Sequence, residues 1–156
     1  MQSAQSQILA AEAVLAEEFI EGLHTQLAAA LAEADHAKEQ MKAVGARLVE
    51  ARTQAEPLWA QKARVEKAIF DLDTALDAAS REMNYPDYLK PESYEAQRRA
   101  LTNLLRWLTD EIRPLSDTIA GAEDQLRHWT VAHGRAQVGV HDCRQAIADK
   151  ERLKRF

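Results

Sequence analysis

The side chains whose types could do chemistry cluster near the C-terminus: His128, His133, His141 and Cys143 are potential metal ligands. A structural metal site wants four ligands that converge, and a catalytic one wants three. The histidine spacings of five and eight residues do not stack these rings on one helical face, and His141-Asp142-Cys143 has no second cluster to complete it. The carboxylates Glu17, Glu18 and Glu21 could in principle serve as acid and base, but on a helix they read as a solvated face. Glycine-rich phosphate loops, a nucleophile elbow and the paired histidines of zinc proteases are absent from the sequence. The expectation is therefore a chain that is not an enzyme and has no metal site and no cofactor.

What must position any functional surface here is helix. Five glycines and four prolines in 156 residues leave few places to turn, and alanine, leucine, glutamate and arginine fill most of the rest. From Leu9 to Met83 one seven-residue register runs without a phase break, the signature of a left-handed coiled coil. Its a positions include Ala13, Ile20, Leu27, Ala34, Met41, Leu48, Ala55, Ile69 and Leu76. The d positions include Leu9, Ala16, Leu23, Ala30, Ala37, Val44, Ala51, Val65, Leu72 and Ala79. Only Lys62, at a, breaks the pattern. A second register has d at Tyr94, Leu101, Leu108, Leu115, Ala122, Trp129, Ala136 and Cys143, and a at Arg98, Leu105, Ile112, Ile119, Leu126, His133, Val140 and Ile147.

Between the two runs, Asn84 suits a helix C-cap, Pro86 and Pro91 interrupt helix, and Ser93 suits an N-cap. The predicted fold is all-α: a long antiparallel helical hairpin in coiled-coil packing, one domain over 1–156. Arm one covers about 3–83, the tip loop 84–93 and arm two about 94–154. Setting Met83 opposite Tyr94 makes facing residue numbers sum to 177 and alternates a with d, so that Ala37 meets Val140 and Ala30 meets Ile147. In that register residues 1–21 overhang. The first arm's alanines would pair poorly with a copy of themselves and well with the bulkier second arm.

Charge favours the same orientation. Residues 1–37 carry six acids and no base, whereas residues 127–156 carry seven bases and three acids. Exposed pairs are worth only ~0.2–1 kcal/mol each, so they select orientation more than they stabilise. The net charge of -5 argues against nucleic acid as the main ligand. A lone cysteine points to a reducing, cytoplasmic setting, or to a particle assembled there. No window supplies the ~20 apolar residues of a membrane span, and no signal peptide is expected.

Pro57 and Pro114 should kink the arms as hinges. Alternatively they start new helices of a four-helix bundle, a reading supported by Trp59, Phe70, Leu104 and Trp107, which a two-helix seam leaves outside. Three surfaces are candidate partner sites. Ile8, Leu9, Val14, Leu15, Phe19 and Ile20 form a stripe wider than a two-helix seam; its alternative fate is to fold back over Phe70 and Trp107. Tyr85 and Tyr88 crowd the tip with Tyr94, where they either bind a partner or close the end of the seam. Phe70 and Trp107 fall at one level in the expected register and would be hidden by side-by-side packing with another copy.

In general organisation the chain resembles flagellar and virulence export stalk proteins, phage morphogenesis proteins and chaperone-like rods, a likeness of shape without residue correspondence. The expected function is a noncatalytic structural or assembly protein, a homo-oligomer or part of a larger complex. The alternative is an adaptor or chaperone that holds a partner helix on its N-terminal segment.

Overall fold

The computed structural model describes residues 4–154. Residue 3 of the expected first arm, residues 1–3 of the expected overhang, and Arg155 and Phe156 lie outside the described residues. Two long helices, α1 (Ala4–Glu82) and α2 (Pro91–Lys154), are joined by a short turn, and there is no strand among the described residues. The fold is an all-α helical hairpin. Both helices continue through the proline positions, so neither Pro57 nor Pro114 starts a helix and the four-helix bundle is not formed.

Heptad geometry explains how helix survives the prolines. Pro57 and Pro114 both occupy c, outside the seam, and both are exposed. The carbonyls they leave without a donor belong to Thr53 and Asp110, four residues earlier at the outward f position, where water can satisfy them. Thr53 Oγ1 also donates to Val49 O (2.8 Å) and Thr118 Oγ1 to Pro114 O (2.9 Å), giving further local hydrogen bonds beside each proline.

Contacts divide the chain into two units, Met1–Gly45 with Asp124–Phe156 and Ala46–Glu123. In both, the core is the seam. The buried residues of α1 are Leu23, Ala34, Ala37, Val44, Leu48, Ala51, Ala55, Val65, Leu72 and Ala79, and all fall on a or d. Those of α2 (Leu108, Ile112, Ile119, Ala122, Ala136, Val140 and Ile147) do the same. Half of the buried α1 residues are alanines, so bulk comes mainly from α2.

The register differs from expectation by one heptad. In the first unit the numbers of Phe19 and Lys150, and of Ala30 and Gly139, add to 169, while in the second those of Asp73 and Arg98 add to 171. Ala30 thus lies beside Gly139, where a Cβ would sit 3.7 Å from its own, rather than beside Ile147. A slip of seven preserves every a–d alternation, so the pattern alone could not decide it.

The tip decides it. Met83, not Asn84, takes the left-handed conformation (φ 55°), and Asn84 N donates to Ala79 O (3.1 Å), closing a Schellman-type cap. A single 3-10 turn, Asp87–Leu89, follows, with Lys90 Nζ paired to Asp87 Oδ1 at 2.8 Å. Tyr94 N then donates to Lys90 O (2.8 Å), which makes Lys90 the N-cap and Pro91 the first helical residue. Proline is favoured there because its φ fits and its missing N–H is not needed. Ser93, expected as the cap, sits inside the first turn instead. Leu89, 2% exposed, packs with Leu72 and Ala79, against which Leu76, Tyr94 and Leu101 also pack. It fills the end of the seam and moves Tyr94 opposite Leu76.

Two measurements follow from this geometry. In a Cys143→Ser background, Ala30→Cys with Gly139→Cys should oxidise to a disulfide, because the Cβ separation matches disulfide geometry. Ala30→Cys with Ile147→Cys should stay reduced, and the opposite result by thiol titration would restore the register summing to 177. Met83→Gly should stabilise the fold by about 0.5–1 kcal/mol, read as a higher urea midpoint at unchanged m, because glycine has no Cβ to strain at positive φ.

Candidate functional site

At the start of α1 the seam loses its mate. Leu23 is buried, Ala16 and Ile20 are half-buried, and every residue from Ala4 to Leu15 is exposed. Near the end of α2, Lys150 Nζ lies 5.0 Å from the centre of the Phe19 ring in a cation–π arrangement. The unmated stretch is thus shorter than the expected 1–21, because α2 reaches one heptad further along α1. Ile20 belongs to the seam rather than to the free stripe.

Ile8, Leu9, Val14, Leu15 and Phe19 are each more than half exposed. Leu9 continues the seam. Ile8 and Leu15 (both c) and Phe19 (g) widen it along one flank, while Val14 (b) points away from that flank. Exposed apolar side chains that adjoin one another in this way are a common mark of an interaction surface. Glu12 at g and Glu17 at e border the seam positions on either side.

The tip brings two of the expected tyrosines to the surface. Tyr85 and Tyr88 are 44% and 51% exposed, whereas Tyr94 is turned inward. Leu89, which a loop reading passes over, closes the seam in their place; an apolar residue between two prolines was the available signal. Tyr85 OH donates to Ser80 Oγ (3.1 Å), and Gln97 Nε2 donates to Tyr88 O (2.8 Å), so the loop is tied to both helices. A groove of about 610 Å³ opens beside it, lined in part by Leu76, Tyr85, Leu89, Pro91 and Tyr94.

Behind the tip lies a polar cluster that the seam pattern records only as Arg98 at an a position. Arg98 donates from Nε and Nη2 to the two Asp73 oxygens (3.1 and 3.2 Å), and Tyr94 OH donates to Asp73 Oδ1 (2.6 Å). The hydrogen bonds from Arg98 and then Tyr94 hold the Asp73 carboxyl below its usual range. The same bond to Asp73 raises the Tyr94 hydroxyl, and Arg98 is raised by its pairing with Asp73.

Phe70 and Trp107 are 68% and 53% exposed. The observed register sets Phe70 level with the neighbourhood of Leu101, six residues before Trp107, and their b and c positions lie on opposite flanks of an antiparallel pair. They do not form the single aromatic patch expected from the sequence.

Of the potential ligands, His128 packs edge-on against Trp129 (5.0 Å between centroids), as does His36 from α1 (5.3 Å). His133 and His141 border a shared groove with Ala34 and Lys38, and Cys143 is half-buried. No group of three or more His, Cys, Asp or Glu among the described residues is placed to hold a metal ion. Nor is any described helix long and apolar enough to cross a membrane. No family model, no curated protein and no solved structure matches this chain.

The Asp73 cluster has a pH signature. Because the folded-state pKa of Asp73 is depressed, its stabilisation is present above the unfolded value of about 3.9 and is lost as pH falls through the folded one. Tyr94 acts oppositely: its raised pKa gives stabilisation that is full below about pH 10 and lost as pH rises through the folded value. Both partners of the ion pair are about 40% exposed, so salt and water screen the effect. Asp73→Asn should therefore flatten the fall of Tm below about pH 4 relative to the natural chain. Parallel acid limbs for the two proteins would show that the cluster does not titrate this way.

Proposed function

We propose that the chain is a noncatalytic structural or assembly protein that oligomerises or docks into a large complex, such as a virion or secretion apparatus, through helical surfaces. The observation that carries this reading is apolar surface that the hairpin leaves in water outside its seam. A two-helix seam consumes only a and d, yet Ile8, Leu15, Phe19, Trp59, Phe70, Leu104 and Trp107 lie elsewhere and are exposed. Ile8, Leu15, Phe70 and Trp107 in particular leave more than half of their surface in water, apolar area that burial against another surface would stabilise.

The two kinds of surface suit different roles. Phe70 and Trp107, on opposite flanks, suit side-by-side packing of copies, because each chain then offers a patch on both sides. The start of α1 is an unmated helix edge and suits a partner helix, which favours the adaptor reading for that segment. Pro57 and Pro114, each lacking one backbone donor, are hinges in the same reading, places where α1 and α2 bend when packed.

Light scattering after size exclusion tests the oligomer. The natural chain should run as an oligomer at micromolar concentration, and Phe70→Ser with Trp107→Ser should lower its mass to that of one chain while helical circular dichroism is retained. A monomer at every concentration would remove self-assembly and leave only the adaptor role.

A further inference from the structure

We infer that a groove along one flank of the first unit binds an elongated small-molecule dianion, an α,ω-dicarboxylate with an apolar middle. The groove, of about 650 Å³, is the one that His133 and His141 border, and none of its lining residues belongs to the surfaces proposed for assembly. Those residues come from both helices and all occupy a, b or e, which an antiparallel pair places on the same flank. The floor is apolar: Ala34 and Val140 are buried there, and Leu31 beside them is 37% exposed. The rim is polar. Lys38, His133, Gln137, His141 and Arg144 line it, and none of the five makes a hydrogen bond or ion pair among the described residues.

The spacing of those groups selects the shape of the ligand. Facing residue numbers in this unit add to 169, so Lys38 of α1 lies about level with Val131 of α2 and within a turn of His133. Arg144 follows His141 by one turn on α2. Each end of the groove therefore holds one cation and one imidazole. The two imidazoles stand eight residues apart, ~12 Å along the helix, with the apolar floor between them.

The donors at each end suit a carboxylate rather than a phosphate. A carboxylate presents two oxygens, and one cation with one imidazole N–H supplies a donor for each. A monoanion satisfies only one end, and a wholly apolar ligand leaves the rim donors facing it without partners. Between the ends, methylene groups cover Leu31, Ala34 and Val140 and take their apolar surface out of water. Asp35, also on the rim and one turn from Lys38, repels a carboxylate at that end, so its charge weakens a site that the other groups build.

Isothermal titration calorimetry of the full chain at low salt provides the test, with decanedioate, decanoate and succinate as probes. Decanedioate should bind at least about fivefold more tightly than decanoate, which has one head, and than succinate, which is too short to reach both ends. Lys38→Gln and Arg144→Gln should each lower the decanedioate affinity about threefold to fivefold while the helical signal is unchanged. Asp35→Asn should raise it, and Lys67→Gln, an exposed cation outside the groove, should leave it as it was. Equal affinity for decanedioate and decanoate, or no binding of decanedioate at millimolar concentration, would overturn the inference. An equal loss on Lys67→Gln would do the same, because the dianion would then be held by the general charge of the surface.

Discussion

The structure depends on a single line of contact, the seam in which an alanine-rich face of α1 accepts larger side chains from α2. Alanine at Ala34, Ala37, Ala51, Ala55 and Ala79 lets the helices approach closely, while Leu108, Ile112, Ile119, Val140 and Ile147 supply most of the apolar bulk. Each buried α-helical residue is on a or d, so stability is distributed along the length rather than concentrated in a central core. A core one residue deep has a strict corollary: side chains at b, c, f and much of e and g stay in contact with water whatever their chemistry.

That corollary gives meaning to residues that would pass unnoticed in a thicker protein. An exposed leucine on a globular domain is ordinary. On a two-helix pair, where the seam accounts for every hydrophobic residue the helices need, Phe70 or Trp107 on the outside is surplus to folding. The same logic separates the tip from the flanks. Leu89 is apolar, lies in a loop and is buried, so it is spent on closing the seam; Tyr85 and Tyr88 are anchored by single hydrogen bonds and keep their rings outward.

The helical content, the hairpin and the identity of the buried positions were legible in the sequence because the heptad is a direct imprint of side-chain burial. The register was not, and the reason is symmetry: shifting one helix by seven residues restores every a–d pairing, and a seam of alanine and leucine distinguishes the alternatives by only a few methylene contacts. What breaks that symmetry is polar. Arg98 at an a position needs an acid at its own level, and Asp73 provides one only when the helices are set a heptad away from the 177 register. The tip escaped for a different reason, since cap identity depends on φ at single residues. Met83 rather than Asn84 turned left-handed, and Pro91 began the helix before Ser93 could cap it. Among the candidate surfaces, the exposure of the α1 stripe was legible, whereas the proximity of Phe70 to Trp107 was a product of the wrong register.

The division of labour between apolar and charged residues also explains why orientation is better specified than register. The acids of α1 before Lys38 and the bases of α2 after Leu126 form two long blocks, and reversing one helix would bring like charge against like over many turns. Sliding one helix by a heptad barely changes that sum, because each charge still faces the opposite block. Smooth charge fields therefore select direction, and local polar contacts with directional hydrogen bonds select level. Asp73, Arg98 and Tyr94 supply the second kind at one end of the hairpin, beside the turn, where the shortest loop limits the number of alternative levels. Once the level is fixed there, the neighbouring a–d pairings of that unit follow heptad by heptad.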